Sequence, residues 1–395
     1  MKPAVYITGA GVICACGTNK KEVLDSLLAR RSGIGPLEYL DDGGLGLPAG
    51  EVGLSDSALK AMLGIRNGEV YGRTALLGIV ALREALDQAG LADGNSGALI
   101  SGTTVGGMDV SERYWDRFIS GDSSDSLISL HDCGITTELQ ADYFGGFSRV
   151  TTLSTACSSA ANAIIRGADM IRSGECSIVV AGGSECLTKF HINGFNSLMI
   201  LDHEPCRPFD RTRAGLNLGE GAAYIVLESE ESVLSRGVKP VAMLSGSGNA
   251  CDAFHQTATS PEGTGACLSM TKALKDASLR PSDISYVNAH GTGTPNNDES
   301  ESTALRTVFG DSMPAVSSTK SFTGHTTSAS GSIEAVICLL ALMNGFIPAN
   351  LNWKESDGTT IVPSTGAEGV RHTNILCNSF GFGGNDSSII ISPCK

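Results

Sequence analysis

The sequence predicts an α/β fold built from two interlocked halves. Apolar strands punctuated by glycine alternate with helices of small residues along the whole chain, which is the pattern of an α/β protein. At 395 residues the chain exceeds what one ordinary core serves, and it suits two domains or one duplicated architecture. No low-complexity linker divides it, and only a charged stretch at residues 228–240 weakly interrupts the pattern. We therefore expect two halves, residues 1–238 and 239–395.

The individual elements follow from the spacing of the apolar residues. The first strand, residues 4–8, is expected to enter a glycine turn at Gly9-Ala-Gly11. Helical spacing predicts helices at residues 71–90 and 160–172. A dinucleotide site at the first turn is disfavoured, because Cys14 stands where a third glycine is expected. Further strands are expected at residues 98–101, 177–181, 224–227, 241–244 and 285–288.

Composition and charge exclude several functional classes. The 42 acidic and 28 basic residues give a formal charge of −14, which argues against nucleic acid as a partner. The longest apolar run, residues 335–343, is shorter than the roughly 18 residues of a membrane span, so no membrane insertion is expected. The twelve cysteines contain no Cys-x-x-Cys pair, so no metal site is expected and most should be reduced core residues. The expected location is the cytoplasm.

The first of four segments with chemical character contains Cys157. A β-branched stretch from Val150 gives way to the small residues Thr-Ala-Cys157-Ser-Ser and then to helical spacing. Cys157 therefore falls at a junction between a strand and a helix, where the helix N-terminus favours a thiolate and should lower the pKa of the thiol. The alternative is a structural cysteine that caps a packed helix.

The second segment places a histidine at the tip of a strand. Residues 286–289 lead into His290-Gly-Thr292-Gly-Thr294-Pro. Strand tips are where open α/β sheets collect ligands, although a structural histidine is also common there. The two threonines add hydroxyl groups for a ligand that carries amides.

The third segment combines a lysine with a second histidine. Lys320-Ser-Phe-Thr-Gly-His325 precedes the apolar helix expected at residues 335–343. A lysine near a helix start opposes the helix dipole and needs an acidic partner, for which Glu334 is the nearest candidate. The alternative is a solvated lysine beside a capping histidine.

The fourth segment is a strand that enters a loop of aromatic residues and glycines. It reads Asn-Ser-Phe380-Gly-Phe382-Gly-Gly-Asn-Asp386. Glycine permits close approach of the backbone to a ligand, and a phenylalanine can act as an apolar gate. A plain hairpin turn of glycine and phenylalanine is the alternative.

In this order the four segments resemble the β-ketoacyl-[acyl-carrier-protein] synthases of the elongating type, within the thiolase-fold superfamily. The Thr-Ala-Cys-Ser-Ser motif resembles the nucleophile motif of that family, and the Cys-His-His set differs from the Cys-His-Asn set of the initiating synthases. The resemblance covers nearly the whole chain. It implies a five-layered αβαβα thiolase-like fold built from two similar interlocked halves.

The resemblance also implies roles for particular residues. Cys157 would carry the acyl group, the backbone amides of Cys157 and Phe380 would form an oxyanion hole, and Phe382 would help to gate the site. His290 and His325 would stabilise the carbanion formed when malonyl carrier protein loses carbon dioxide. Lys320, through Glu334 and water, would order the second histidine. The remaining expected contacts are pantetheine on Thr292, Thr294, Thr257 and Thr259, an acidic acyl carrier protein on Arg66, Arg73, Arg207, Arg211 and Arg213, and an acyl pocket at Val105 and Met108.

Departures from the family pattern keep other functions open. Gly-Gly-Asn-Asp386 stands where the family usually shows Gly-Gly-Thr-Asn, and Arg213-Ala-Gly-Leu-Asn replaces Arg-Asp-Gly-Phe-Val. The principal prediction is a homodimeric synthase of fatty-acid or related chain elongation that needs no cofactor beyond the phosphopantetheine of the carrier. The alternatives are a polyene- or polyketide-type ketosynthase with a related partner subunit, a scaffold that binds carrier protein without condensation, and a decarboxylase that releases acetyl groups.

Overall fold

Ten strands form the framework of the protein in the computed structural model, which describes residues 2–91, 97–121 and 125–394. Two short strands, β9 (Phe346–Ile347) and β10 (Ala367–Glu368), form a separate pair. The ten are β1 (Val5–Cys14), β2 (Gly97–Gly102), β3 (Phe147–Leu153), β4 (Ile178–Glu185), β5 (Gly221–Ser229), β6 (Ala242–Cys251), β7 (Tyr286–Asn288), β8 (Ala315–Ser317), β11 (Ile375–Gly381) and β12 (Asn385–Ser392).

The same strand order occurs twice. The ten strands are hydrogen-bonded in one continuous order. Its first half, called the first sheet, has the order β3-β2-β4-β5-β1, and its second half, called the second sheet, has the corresponding order β8-β7-β11-β12-β6. In each half the second and third strands in the chain pair in parallel, and the hairpin β4/β5 or β11/β12 is antiparallel. A two-residue pairing of β1 with β6, Tyr6 to Met243 and Ile7 to Ala242, joins the halves. This repetition supports the expected division, and the boundary between residues 238 and 239 stays a prediction.

The helices lie between and outside the sheets. Those that matter for the site are α7, which follows β3, and α13, which precedes β11. The helices are α1 (Lys20–Leu28), α2 (Asp56–Leu63), α3 (Arg73–Ala89), α4 (Met108–Ile119), α5 (Asp125–Ile128), α6 (Cys133–Phe144), α7 (Ser159–Arg172), α8 (Lys189–Ser197), α9 (Glu230–Arg236), α10 (Thr264–Ala277), α11 (Pro295–Phe309), α12 (Lys320–Thr323) and α13 (Ser330–Asn344).

The helices and sheets stack into five layers, which confirms the expected αβαβα fold. Helix α3 packs on the outer face of the first sheet, and α10 packs on the outer face of the second. Helices α7 and α13 contact each other between the two sheets, and their apolar side chains form the largest core cluster. The central layer is therefore covered by a sheet on each side, which suits a buried active site at the ends of its helices.

The glycine turn expected at Gly9-Ala-Gly11 is wrong, because strand β1 continues through these residues to Cys14. The glycines serve packing: a Cβ atom on Gly9 would lie 2.2 Å from the Ala85 carbonyl oxygen, and one on Gly11 would lie 2.1 Å from that of Ala81. Helix α3 thus rests directly on the backbone of β1. Glycine in a strand marks such a close approach.

One helical stretch, residues 327–344, is long and apolar enough by length and composition to cross a membrane. However, 83% of it is buried inside the protein, and it contains the central helix α13. Its apolar character is explained by its place between the two sheets.

The close packing of α3 on β1 predicts that Gly11→Ala destabilises the protein. The added methyl group would overlap the Ala81 carbonyl oxygen, so we expect a loss of about 1–3 kcal/mol of unfolding free energy. Thermal and denaturant unfolding measure this loss. The matched control is Gly53→Ala, because Gly53 has no atom within 4 Å of its added Cβ. Equal unfolding free energies of the two variants would contradict the packing role of Gly11.

Candidate active site

Cys157 lies in the turn between β3 and α7, as the sequence predicts. Its side chain is buried. Ala156 has φ +53°, a backbone conformation that is unfavourable for a residue with a Cβ atom. The hydroxyl of Ser159 donates to the Ala156 carbonyl at 2.6 Å and accepts from the Thr155 amide at 2.8 Å, so it holds this strained turn. The turn presents the thiol at the end of the central helix layer.

The predicted lowering of the Cys157 pKa is wrong. Burial raises the pKa of the thiol to about 11, and the nearby charge of Lys320 and the backbone amide of Phe382 only partly oppose this. The negative charge of Glu185 raises it further. Desolvation therefore outweighs the helix N-terminus at this site. The resting group is a thiol whose anion is stabilised by Lys320 and by the backbone amides of Phe382 and Cys157.

The two predicted histidines lie together beside the cysteine segment. The ring centroids of His290 and His325 are 5.2 Å apart, at an interplanar angle of 83°. Burial lowers the pKa of both imidazoles well below the ordinary value, and the charge of Lys320 lowers it further. Both rings are therefore neutral at pH 7. A neutral imidazole has one N–H donor, which suits stabilisation of a negative charge that develops on a ligand.

The acidic partner predicted for Lys320 is confirmed. Its Nζ donates to Glu334 Oε1 at 2.5 Å, and both side chains are buried. Its Nζ also lies 3.2 Å from His290 Nδ1, whereas His325 Nδ1 pairs with Ser330 Oγ at 3.0 Å. The expectation that Lys320 orders the second histidine through Glu334 and water stays a prediction. An ammonium group can only donate, so His290 Nδ1 accepts and the proton of that ring resides on Nε2.

Two acids that the sequence patterns do not identify complete the site. Glu301 on α11 accepts hydrogen bonds from the backbone amides of His290 and Gly291, at 2.9 and 2.7 Å. Glu185, at the end of β4, accepts from Thr327 Oγ1 at 3.2 Å and from the Thr104 amide at 2.9 Å. Glu301 follows its partner by eleven residues on another element, so no short motif contains the pair. The role of Glu301 is revealed only by its burial in the folded protein, within a mostly polar helix.

The gating loop lies against the nucleophile. Phe382 supplies the backbone amide that hydrogen-bonds the Cys157 sulfur. Phe380 belongs to strand β11, where it pairs with Asp386, and its ring lies 5.8 Å from that of His290. Its expected part in an oxyanion hole stays a prediction. A motif with two phenylalanines separated by glycine does not reveal which of the two lies beyond the end of the strand. The Phe382 ring stacks on Phe195 of α8 with centroids 5.7 Å apart.

The four predicted pantetheine residues lie on two loops that approach each other. The hydroxyls of Thr292 and Thr294 are 2.9 Å apart, beyond the tip of β7. Thr257 and Thr259 belong to the loop after β6, and Thr259 Oγ1 donates to Asn296 at 3.1 Å. That loop also contacts the gating loop, because the Gly383 amide donates to the Gln256 carbonyl at 2.8 Å. The two loops and the gating loop therefore lie next to one another, and the binding of pantetheine by the four threonines stays a prediction.

The predicted carrier-docking arginines divide into two groups. Arg66 and Arg211 are exposed, and Arg207 is partly exposed and lies 3.1 Å from Asp202. For Arg73 and Arg213 the prediction is wrong, because both are buried in ion pairs. Arg73 binds Glu220 at 2.6 Å, and Arg213 binds Glu299 at 2.8 Å. The sequence position of an arginine does not reveal whether an acidic residue of the same chain forms an ion pair with it.

The predicted acyl pocket residues Val105 and Met108 lie on the loop after β2 and at the start of α4. Val105 is buried, and its amide points to Glu185 at 3.5 Å. The Met108 sulfur is 4.0 Å from Thr188 Oγ1. The loop after β2 and the start of α4 therefore contact the end of β4 and the residues that follow it. This contact contains more polar atoms than the sequence indicates.

Asp386, one of the departures noted in the sequence, directly follows the gating loop. Its side chain is buried, and its Oδ1 has no hydrogen-bond partner within the part of the chain that the structure describes. Burial raises the pKa of this carboxyl to about 7, and the charges of Asp252 and Glu301 raise it further. Asp252 holds the loop as well, since its amide donates to the Gly384 carbonyl at 3.2 Å. The backbone of Asp252 thus supports the gating loop, and the buried carboxyl of Asp386 lies directly after it.

Comparisons with known proteins agree on one family. Residues 2–232 match the family described as "Beta-ketoacyl synthase, N-terminal domain", and residues 241–354 match "Beta-ketoacyl synthase, C-terminal domain". Nodulation protein E of Rhizobium meliloti is 34% identical, over 98% of both chains. The 3-oxoacyl-[acyl-carrier-protein] synthase 2 of Synechocystis sp. is 32% identical, over 98% of this chain and 97% of that protein. The solved structure "The ishigamide ketosynthase/chain length factor" superposes over 100% of both chains, with a TM-score of 0.91 and 32% identity.

The buried carboxyl of Asp386 predicts that Asp386→Asn stabilises the protein in a pH-dependent way. The folded pKa of about 7 lies above the ordinary value of 3.8, so folding stability falls as pH rises between these values. The amide cannot ionise, and its advantage should grow by about 2 kcal/mol from pH 5.5 to pH 8. Denaturant unfolding at both pH values measures it. The exposed control Asp311→Asn should show no such growth, and equal behaviour of both variants would refute the assignment.

Proposed function

The chain belongs to the β-ketoacyl synthase family, and from this premise we propose that Cys157 carries the acyl chain while His290, His325 and Lys320 support its condensation with malonyl-[acyl-carrier-protein]. The protein is a condensing acyltransferase. The observation that carries the residue assignment is the meeting of a buried thiol, two neutral imidazoles and a buried ammonium group at one end of the central layer.

The first stage is transfer of the acyl chain. The Cys157 sulfur attacks the thioester carbonyl of an acyl carrier protein, and the backbone amides of Cys157 and Phe382 hold the resulting oxyanion. The carbon–sulfur bond to pantetheine then breaks, and the thiol proton of Cys157 ends on the departing pantetheine sulfur. Because burial raises the pKa of Cys157, the positive charge of Lys320 is needed to stabilise the thiolate that attacks.

The second stage forms the carbon–carbon bond. Malonyl carrier protein loses carbon dioxide, and the electron pair of the broken bond moves into an enolate. His290 donates from Nε2 to the enolate oxygen, and His325 donates beside it. The enolate carbon attacks the acyl carbonyl on Cys157, and the thiolate leaves as the β-ketoacyl product forms. The reaction transfers no electrons to an acceptor, so we propose that it needs no redox cofactor.

Carrier recognition is proposed for the exposed arginines. Arg66 and Arg211 are exposed, although they pair with Glu69 and Glu355 at 3.0 and 2.5 Å, and an acidic carrier protein would compete with these exposed acids. Arg207 is partly exposed. The hydroxyls of Thr292 and Thr294, with Thr257 and Thr259 on the facing loop, would hold the amides of the pantetheine arm. The name of the Synechocystis relative, 3-oxoacyl-[acyl-carrier-protein] synthase 2, includes the carrier protein, which supports this partner.

The exposed edge of the first sheet supports a dimer. Strand β3 is the terminal strand of that sheet, and residues 148–151 of this strand are exposed. Unpaired edge strands are prone to pair with another chain. The occupant is a second copy or a related subunit, and a chain length factor accompanies the ishigamide ketosynthase. All twelve cysteines are free, which supports the reducing environment of the cytoplasm.

A partner-dependent ketosynthase of polyene or polyketide type is the second candidate function, because the ishigamide protein is similar over its full length. The scaffold and the decarboxylase are less well supported. A scaffold has no use for a lysine that orients a histidine through a buried contact. The decarboxylase would use the same histidines, so product analysis separates it from a synthase.

Acylation of Cys157 is the first test of this function. Incubation of the protein with a panel of acyl carrier proteins should add the acyl mass to wild type, and Cys157→Ala should remain unmodified, as seen by intact-mass spectrometry. Addition of malonyl carrier protein should then release a product that is two carbons longer. The same experiment is repeated with a candidate partner subunit present. No acylation from any donor in either form would exclude the synthase mechanism.

The histidine assignment predicts a separation of the two stages. His290→Ala and His325→Ala should still take up the acyl chain on Cys157, because the amides of Cys157 and Phe382 are unchanged. Decarboxylation of malonyl carrier protein should fall at least about 100-fold, since each variant removes a donor to the enolate. Single-turnover acylation and carbon dioxide release measure the two stages. The exposed control His203→Ala should retain both. Loss of acylation in the histidine variants would contradict these roles.

A further inference from the structure

The ring of His325 is hydrogen-bonded by a serine of the same segment. Its Nδ1 lies 3.0 Å from the hydroxyl oxygen of Ser330, which is the first residue of helix α13. That hydroxyl also lies 3.1 Å from the hydroxyl of Thr326. All three side chains are buried. Two hydroxyl groups and one imidazole thus form a short hydrogen-bonded chain, and Nε2 is the ring nitrogen that remains for a ligand.

The backbone between His325 and Ser330 is held in an unfavourable conformation. Thr327 has φ +43°, in the left-handed region that a β-branched residue rarely adopts. Its hydroxyl donates to Glu185 Oε1 at 3.2 Å, and the amide of His325 donates to the Asn217 carbonyl at 2.7 Å. A strained turn persists where surrounding contacts define it, and this one returns Ser330 to the ring of His325.

The direction of the hydroxyl chain decides which nitrogen of the neutral His325 ring carries the proton. In one direction Thr326 donates to Ser330 and Ser330 donates to Nδ1, so the ring proton resides on Nε2. In the other direction Nδ1 donates to Ser330, and Ser330 donates to Thr326. The Thr326 hydroxyl would then lack an acceptor, because Ser330 is its only hydrogen-bond partner among the residues that the structure describes. A buried donor without an acceptor is destabilising, so the first direction is favoured.

The same tautomer is set on His290 by a different group. There the ammonium group of Lys320 donates to Nδ1, which leaves the proton on Nε2. The two rings are adjacent, with centroids 5.2 Å apart. A second cation in place of Ser330 would add a buried charge that needs its own acidic partner. A neutral hydroxyl fixes the ring of His325 without such a charge.

We propose that Ser330, supported by Thr326, is a positioning residue that holds His325 as the Nε2–H tautomer, so that this imidazole donates to the enolate formed from malonyl carrier protein. The proposal rests on the proposed function, to which the enolate belongs. Ser330 keeps its own hydrogen throughout, and the Nε2–H group lends only a hydrogen bond to the enolate oxygen. A ring with its proton on Nδ1 would instead direct a lone pair at that oxygen. The tautomer is therefore required for decarboxylation and not for acylation.

Substitution of Ser330 should separate these two stages. Ser330→Ala should take up the acyl chain on Cys157 at the wild-type rate. Its release of carbon dioxide should fall at least about tenfold, since the loss of a group that fixes a histidine tautomer can slow catalysis far more than this. The loss should appear in kcat with little change in KM for malonyl carrier protein, because the interaction with the enolate forms only during the reaction. Single-turnover acylation and carbon dioxide release measure both stages.

Two further variants test the hydroxyl chain itself. Ser330→Thr keeps the hydroxyl and should restore most of the decarboxylation rate. Thr326→Val removes only the donor to Ser330 and should give an intermediate rate. The tautomer is measured by ¹⁵N NMR of protein labelled at the histidine rings, with the His325 signals assigned by their loss in His325→Ala. Wild type should show the shifts of Nε2–H, and Ser330→Ala should show the Nδ1–H form or a mixture.

The matched control is Ser332→Ala. Ser332 is also buried and lies on the same helix, but its hydroxyl donates to the Ala329 carbonyl at 3.1 Å. This variant should keep the wild-type tautomer and decarboxylation rate, and thermal unfolding verifies the fold of every variant. If Ser330→Ala does not fold, Thr326→Val and the wild-type spectrum decide.

The outcomes distinguish this inference from the proposed function. A wild-type His325 ring with its proton on Nδ1, or equal decarboxylation in the folded Ser330→Ala and Ser332→Ala variants, overturns the role of Ser330 and leaves the proposed function intact. No acylation of wild type by any donor, or no release of carbon dioxide from malonyl carrier protein, overturns both.

Discussion

Lys320 and Glu334 place opposite charges 2.5 Å apart in the centre of the protein, where their side chains are only 1% and 2% exposed. Removal of either partner would leave a buried charge without compensation, at a cost of about 3–5 kcal/mol. The same ammonium group contacts His290 Nδ1. One buried pair therefore connects helices α12 and α13 with the tip of β7, and it fixes the tautomer of one histidine while its charge stabilises the thiolate of Cys157.

The repeated architecture explains why these residues meet. Cys157 follows β3 in the first half, and Lys320 follows the corresponding strand β8 in the second half. The helices that come after them, α7 and α13, contact each other in the central layer. Because the parallel strands of both halves end on this side, their loops converge there, as the carboxyl ends of parallel strands do in open α/β sheets. Duplication thus places Cys157 and Lys320, which lowers the pKa of its thiol, on equivalent loops.

Much of the fold and the residues of the candidate site could be predicted from the sequence, whereas the electrostatic states and contacts of these residues could not. Periodicity predicts helices α3 and α7 closely, and ordered motifs identify Cys157, His290, Lys320 and His325. The pKa of Cys157 depends on desolvation, which is a property of the packed core rather than of the local segment. The burial of Arg73 likewise depends on Glu220, which lies 147 residues away. Such long-range pairs leave no short pattern in a single sequence.

The two hairpins of the repeat differ in the length of the segment that connects their strands. In the second half only residues 382–384 join β11 to β12, so the gating loop is short and held by both strands. In the first half residues 186–220 separate β4 from β5, and this longer connection contains α8 with His191 and Phe195. The two hairpins meet where Phe195 stacks on Phe382. Loops on a rigid scaffold tolerate sequence change better than strands do. Substitutions in the longer connection can therefore be tolerated while the strands keep the Phe382 amide beside Cys157.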